Sequence, residues 1–576
     1  MQIILALAQI NPHVGDLEGN CGMMLDAAQT AKRAGADLVL FPELTLTGYP
    51  PEDLLHKPLF LERVEQQEKR LRQGLAEMGV DVLYGAPRRL ENGDVLNAAM
   101  LVEDGRETFL TAKWNLPNYG VFDEQRYFVH GEEANVHTYR DLPIGITVCE
   151  DVWHAHGPAR TLMELGAAIL LNLNASPYHL GKWRERESVV SDRIHETGLP
   201  VVYVNQVGGQ DELVFDGGSF VMDSGARVSL RCGFFREEIR LTRISWDGDG
   251  PAQLDHPKQT TVQNQFLRTG YCGPWRAAPH SEPFLSPTLD REREIWGALT
   301  LGIRDYVRKN GFTGVVIGLS GGIDSALTLT ICVDALGAER VEAVMMPSQY
   351  TADHSNHDAI VQANRLGVRL ASIPIGRLFD QFKADLAEEF AGRDEDVTEE
   401  NIQPRIRGTL LMAISNKKGL LLVTTGNKSE VSMGYATLYG DMAGGYSVLK
   451  DVLKMTVYDL ARARNRWAEE VGLAHPTPQN VIDKAPSAEL RPDQKDSDSL
   501  PPYPILDRIL KLYVEQERSL AEIESLGIDR DLAARVIATV DRNEYKRRQA
   551  PPGVRITARA FGKDRRYPIT NGFKVC

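Results

Sequence analysis

The chain has 576 residues, 43% of them hydrophobic and 25% charged, with a formal net charge of −14. This is ordinary usage for a globular protein and predicts about two to four domains. The acidic balance excludes a broad phosphate-backbone-binding surface, so no nucleic-acid partner is expected, and it suits an enzyme of small substrates.

Six cysteines (Cys21, Cys149, Cys232, Cys272, Cys332, Cys576) are scattered without C-x-x-C spacing. That pattern argues against a disulfide framework or zinc site and for a reducing compartment. The opening "MQIILALAQI" has no basic region before it and "NPHVGD" ends it quickly. It reads as a first strand rather than a signal peptide. No run reaches the roughly 18 apolar residues of a membrane span, so a cytoplasmic location without a membrane partner is expected.

In chain order, "IILALAQI" predicts a strand, "NCGMMLDAAQTAKRAGA" a helix stopping at Gly35, and "DLVLFPEL" an apolar strand leading to Glu43. "DVLYGAPRRL" and "LNAAMLVED" flank Asn92-Gly93, a hairpin signal. "PIGITVCE", "AAILLNLNA", "PVVYVNQVG" and "GSFVMD" continue as strands, so the first half predicts a layered α/β sandwich. The Pro-, Gly- and aromatic-rich stretch 266–286 is the expected linker between domains at 1–265 and 287–576. Beyond it, "GVVIGLSGGIDSALTLTICVDALG" reads strand, glycine loop, helix, and "VEAVMMPS", "RLASIPI" and "LLLVTTGN" read as buried strands between helices. That alternation predicts a doubly wound parallel sheet with its ligand at the strands' C-terminal ends. "APSAELRPDQKDSDSLPPY" is polar and proline-rich, an expected ordered loop or lid.

Cys149, in "GITVCEDVW", poses a problem of charge. Glu150 and Asp151 follow it at once, and neighbouring carboxylates disfavour a thiolate. A reactive thiol needs cationic company, and an inert buried thiol is the bland alternative. A papain-like pairing would need a histidine, but His154 and His156 fall in "WHAHGP", a turn leaving the strand. A His-x-His pair can also bind metal, yet no third ligand is near, and surface histidines are the default.

"GLSGGIDSA", from Gly318 to Ala326, carries glycines that let backbone N–H groups approach an anion at a helix start. It lacks Walker order, and Asp324 suits metal-bridged phosphates; a plain glycine turn is the alternative. The SGGxDS pattern resembles the pyrophosphate loop of ATP-pyrophosphatase enzymes, which cleave ATP to AMP and pyrophosphate. "NIQPRIRGTLLMAISN", "TTGNKSEVSMGYATLYGDMAGG", "DVLKMTVYDLA" and "KAPSAELRPDQKDSDSLPPY" follow in the order seen in NAD synthetases. The resemblance implies an ATP site of Gly318, Leu319, Ser320, Gly321, Gly322, Ile323, Asp324 and Ser325 with Thr425 and Lys454. It implies deamido-NAD binding by Asn401, Glu430 and Lys546, and Mg2+ held by Asp324 and Glu430.

"FPELTLTGY" with Glu43, "TAKWNLPNYGVFDEQRYF" with Lys113, and "VCEDVW" with Cys149 resemble the Glu–Lys–Cys set of the nitrilase, or carbon–nitrogen hydrolase, superfamily. The implied roles are general base, oxyanion-stabilising cation and nucleophile, with Glu124 as an additional acidic residue and Tyr119, Ser176 and Lys182 around glutamine. The superfamily's glutamine-amidotransferase branch, fused to NAD synthetase, matches nearly the whole chain. It implies an αββα nitrilase-like sandwich followed by a doubly wound, Rossmann-like domain, and glutamine, ATP and deamido-NAD as substrates. Ammonia passing through a sheltered channel and a homo-oligomer are further expectations. Amidation of another carboxylate, or a sensing protein with a dead nitrilase half, are the alternatives; the intact triad weighs against the second.

Overall fold

Strands that are apolar along their whole length, rather than on alternate residues, must be covered on both faces, and the first half of the chain meets this with four layers. The computed structural model describes residues 1–256, 261–262, 284–492 and 494–573. The linker expected at 266–286 lies outside the described residues except for its last three. One unit runs from Met1 to Leu289 and another from Asp290 onward, apart from Asp211–Leu213, which group with the second.

In the first unit, strand Gln2–Gln9 pairs parallel with Leu38–Leu40 and antiparallel with Glu238–Ser245. Leu38–Leu40 pairs parallel with Asp81–Arg89, which turns at Gly93 (φ +93°) into antiparallel Val95–Glu103. Glycine is favoured at that turn because the left-handed region penalises a Cβ. The second sheet has Leu142–Val148, Ile169–Asn174 and Val201–Asn205 in parallel, extended antiparallel by Val136–Tyr139 and Phe220–Met222. Leu5, Leu40, Leu83 and Leu101 of one sheet meet Ile144, Leu171, Leu173 and Val204 of the other in one buried cluster. Each such side chain contributes about 1.5–3 kcal/mol on burial. Helix Pro58–Met78 covers the first sheet's outer face together with Leu17–Arg33. Helices Pro158–Glu164 and Lys182–Thr197 cover the second through Leu162, Val190 and Ile194. The expected αββα sandwich is the observed one.

The second unit holds a five-stranded parallel sheet ordered Arg369–Ser372, Val341–Met345, Gly314–Gly318, Leu420–Thr424, Tyr446–Ser447. The chain winds one way from Gly314–Gly318, then returns to its other side at Leu420–Thr424. The crevice between these two strands is the switch point where doubly wound sheets bind ligands. One expectation needs correction. "RLASIPI" forms the short strand Arg369–Ser372, which is not buried, because it is the sheet's edge and helices cover it incompletely. A C-terminal helical core of Leu506, Ile509, Ile523, Val536, Ile537 and Val540 lies outside the strand–helix alternation read from the sequence. The loop after Lys484 is held at Glu489, which accepts from the Ser355 hydroxyl at 2.7 Å and the Ala352 N–H at 3.3 Å. Among the described residues no helix is long and apolar enough to cross a membrane.

Gly85 shows how closely the first sheet seats Glu43. A Cβ there would lie 2.3 Å from the Leu44 nitrogen and 2.8 Å from the Glu43 Cα. Gly85→Ala is expected to cost about 1–3 kcal/mol through overpacking, read by urea unfolding. An unchanged midpoint would mean that the Glu43 turn yields freely.

Candidate active sites

Glu43, Lys113 and Cys149 come from turns that end three different strands, and the fold brings them to one buried point. The Lys113 ammonium donates to Glu43 Oε1 and to Glu124 Oε1, both at 2.8 Å. None of the four residues is more than 4% exposed. Glu43 is held further by Asn97 Nδ2 at 2.7 Å and by the Ala175 N–H at 3.0 Å. The Tyr49 hydroxyl donates to Glu124 at 2.7 Å. Burial works against the charged form of Lys113, but Glu124, Glu43 and the Cys149 sulfur outweigh it and hold its pKa well above the usual lysine range. Burial, opposed by Lys113 and reinforced by Glu43, raises the Glu124 carboxyl. Cys149 opens a short turn after strand Leu142–Val148 with φ +43°, a left-handed conformation uncommon for a residue with a Cβ.

The three residues expected around glutamine lie near this point by different routes. Tyr119 donates to Glu150 Oε1 at 2.9 Å. Lys182 Nζ stands 3.9 Å over the Trp153 ring and donates to Glu185 at 3.0 Å. Ser176 directly follows Ala175, and Arg186 donates to both its hydroxyl (3.1 Å) and its carbonyl (2.8 Å). Arg186 is itself paired with Asp216 at 2.7 Å in a buried position. Asn97, Arg186 and Tyr49 were missed from sequence. Only Arg186 left a signal: with Val190, Arg193, Ile194 and Thr197 it falls on the helix's buried stripe. The histidines of "WHAHGP" gather no metal cluster among the described residues, and His154 lies 3.4 Å from Glu150.

In the second unit the glycine loop follows strand Gly314–Gly318 and opens helix Ile323–Leu336. Gly321 has φ +78°, and a Cβ there would lie 2.2 Å from the Ser355 carbonyl oxygen, so only glycine fits. Ser320 and Ser325 brace the loop through a 3.1 Å hydroxyl contact and the Ser325-to-Gly322 carbonyl bond of 2.9 Å. Lys454 Nζ lies between Asp324 (2.5 Å) and Glu430 (2.9 Å), and Asn427 donates to Asp324 at 2.8 Å. Burial raises the Glu430 carboxyl, with Asp324 adding to it and Lys454 opposing. Ser320, Asp324, Ser325, Thr425, Glu430 and Lys454 line a cavity of about 740 Å³; Gly321 and Asn427 do not. Asn401 and Lys546 do not line it. Asn401 accepts from Thr437 at 2.7 Å, and Lys546 donates to the carbonyls of Gly434 and Ala436, so both hold the segment 434–437 at its border. Arg407, unanticipated from sequence, does line the cavity, where burial lowers its pKa to about 10.

Charge at Cys149 yields a test. Burial and Glu43 push its thiol well above the usual range, while Lys113 opposes them. A raised thiol stays protonated through neutral pH, and only the thiolate attacks. Alkylation of Cys149 by iodoacetamide, without glutamine present, should therefore climb about tenfold per pH unit up to about pH 9. Rates are read by peptide mass spectrometry, and a plateau near neutrality would contradict the geometry.

The carbon-nitrogen hydrolase family model matches residues 4–248, and the NAD synthase family model matches residues 295–550. The chain is 46% identical over 575 residues to the glutamine-dependent NAD(+) synthetase of Thermotoga maritima, covering 99% of each. It is 42% identical over 570 residues to that of Acinetobacter baylyi, covering 99% of this chain and 98% of the relative. The solved structure of the Acinetobacter baumannii glutamine-dependent NAD+ synthetase in complex with adenosine diphosphate matches with a TM-score of 0.74 at 41% identity, over 100% of both chains. That of the Cytophaga hutchinsonii enzyme matches in fold, with a TM-score of 0.78 at 23% identity over 99% and 98% of the two chains. With two family models in series and relatives matched end to end, the chain belongs to the glutamine-dependent NAD(+) synthetases, ligases with glutamine amidotransferase activity.

Proposed function

We propose that Cys149 releases ammonia from glutamine and that the second unit uses it to amidate deamido-NAD, forming NAD with AMP, pyrophosphate and glutamate as the other products. The observation that carries this reading is the Lys113 ammonium held between Glu43 and Glu124 beside the thiol. Glu43 takes the thiol proton as general base while the sulfur attacks the side-chain amide carbon of glutamine. Lys113 neutralises the tetrahedral oxyanion, and Glu43 hands the thiol's proton to the leaving nitrogen, so that collapse expels ammonia and leaves a γ-glutamyl thioester. Water then releases glutamate. Tyr119, Ser176 and Lys182 hold glutamine, with Lys182 meeting its α-carboxylate; Glu124 keeps Lys113 charged and in place.

In the second unit, adenylation of the nicotinate carboxylate makes AMP the leaving group that ammonia displaces. The loop from Gly318 to Ser325, Thr425 and Lys454 bind ATP; Asn401, Glu430 and Lys546 serve deamido-NAD. Asp324 and Glu430 fit Mg2+: both are oxygen donors converging on the single point where Lys454 Nζ lies. Among the described residues no cluster of three or more His, Cys, Asp or Glu is placed to hold a metal. Phosphate oxygens and water would complete the shell, as is usual for this hard cation. The ion supplies charge neutralisation on the phosphates. Conversion of deamido-NAD to NAD is the last step of NAD formation.

Two variants separate the halves. Cys149→Ala should abolish glutamine-dependent NAD formation and leave ammonia-dependent formation within about twofold. Asp324→Asn should lower both by roughly a hundredfold or more, the scale of losing a charge-stabilising group. NAD formation is followed with each nitrogen source, and full glutamine-dependent activity in Cys149→Ala would overturn the reading.

A further inference from the structure

Asp151 is buried to 1% exposure, yet no cation stands within ion-pair distance of its carboxylate among the described residues. Its partners are backbone N–H groups instead. Oδ2 accepts from Val148 at 3.0 Å. Oδ1 accepts from Trp114 at 3.0 Å and Asn115 at 2.9 Å, with the Asn115 side-chain amide at 3.4 Å. Capping the short turn Cys149–Val152 needs only the first of these bonds. The others reach a segment 36 and 37 residues away in sequence. Those two segments are special. Val148 immediately precedes the thiol, and Trp114 immediately follows the lysine.

The backbone of Lys113 itself is tied to one strand of the sheet and to a loop. Its N–H donates to the Asn97 carbonyl at 2.8 Å, and its carbonyl accepts from Gly131 at 2.8 Å. Past Lys113 the chain leaves the ladder, and Asp151 takes up the next two N–H groups. Cys149, for its part, has φ +43°. Such backbones cost on the order of 1–3 kcal/mol and persist only where the surroundings impose them. One carboxylate thus ties the strained turn of the nucleophile to the chain segment that carries its cation.

We propose that Asp151 is a positioning residue of the glutaminase: by binding the backbone on both sides, it sets the separation of the Lys113 ammonium from the Cys149 sulfur. This rests on the reading of Cys149 and Lys113 as the reacting pair. The bonds require an acceptor at both oxygens, which an ionised carboxylate supplies and an amide does not. Asparagine at 151 keeps the shape but turns an NH2 toward backbone donors. Burial pushes the Asp151 carboxyl up to about 6, so it is ionised when the enzyme is assayed near pH 8.

The sign of one measurement separates positioning from simple electrostatics. Removing a negative charge beside Cys149 should by itself favour the thiolate and speed alkylation. Letting Lys113 drift from the sulfur should slow it. For Asp151→Asn in the full-length chain at pH 8, we expect iodoacetamide alkylation of Cys149 to slow roughly fivefold or more. Glutamine-dependent kcat should fall about 10- to 100-fold, the scale of a misplaced group, with KM for glutamine within about twofold. Ammonia-dependent NAD formation should be unchanged at a temperature where the variant is folded, although the unfolding midpoint falls because a buried N–H loses its acceptor. Asn115→Asp, which sets a second carboxylate against Asp151 at the same junction, should reproduce the pattern more weakly and serves if Asp151→Asn does not fold. Faster alkylation, unchanged kcat, or equal loss of both nitrogen sources would overturn the proposal. Cys149→Ala run alongside distinguishes that from failure of the glutaminase reading, which its retained glutamine-dependent activity would reveal.

Discussion

A lysine ammonium taken wholly out of water must be surrounded by groups that replace its hydration, and in the first unit this requirement organises everything near Cys149. Lys113 has both carboxylates it needs, Glu43 and Glu124, at 2.8 Å. Two carboxylates against one cation leave a surplus negative charge, and the next layer answers it with neutral donors: Asn97, Tyr49 and the Ala175 N–H. Removing one partner from such a buried set typically costs about 3–5 kcal/mol, because a charge is left without compensation. The same demand explains why the cluster is assembled from strand ends across two sheets. The sandwich core excludes water around Lys113, and its rim lets side chains from both sheets converge there.

The second unit repeats the arrangement with another purpose. Lys454 stands between Asp324 and Glu430 much as Lys113 stands between Glu43 and Glu124. The difference lies in what borders it. Glu43 is held at both oxygens by protein donors, whereas Asp324, Glu430 and Lys454 all line a cavity of about 740 Å³. A carboxylate pair whose cation can be shared with an incoming charge is suited to a triphosphate and a divalent ion. A pair whose inner oxygens are held by a lysine and by neutral donors is suited to keep that lysine in one place.

Much of this was legible in the sequence because strand ends are. "FPEL", "VCED" and "GLSGGIDS" each follow an apolar run, and a residue placed just past a buried strand has few places to go. The hairpin at Asn92–Gly93 and the strand–glycine loop–helix around Gly321 are readable for the same local reason. What stayed hidden was pairing at long range. Asn97 reaches Glu43 from 54 residues away, and Arg186 reaches Asp216 from 30; no periodicity encodes either. Asn401 and Lys546 illustrate the converse. Family resemblance put them with the nucleotide; in the structure Asn401 accepts from the Thr437 hydroxyl and Lys546 donates to the Gly434 and Ala436 carbonyls, contacts that spacing in the sequence does not encode. "RLASIPI" misled because apolar composition does not say which strand will end a sheet.

Both sites lie at the C-terminal ends of parallel strands, and the reason is physical rather than historical. Glu43, Cys149 and Ala175 follow Leu38–Leu40, Leu142–Val148 and Ile169–Asn174; Ser320 and Thr425 follow Gly314–Gly318 and Leu420–Thr424. There the ladder stops, so backbone N–H groups that no longer pair with a neighbouring strand become available to anions. At Glu43 such an N–H, from Ala175, binds the protein's own carboxylate; at the glycine loop the Ser320 and Gly322 N–H groups donate to the Ser325 and Ser320 hydroxyls, and the loop lines the cavity. The same edge therefore does two kinds of work. Where a carboxylate is the acceptor, the edge fixes that side chain in place, and where weakly held hydroxyls are the acceptors, the edge borders a cavity.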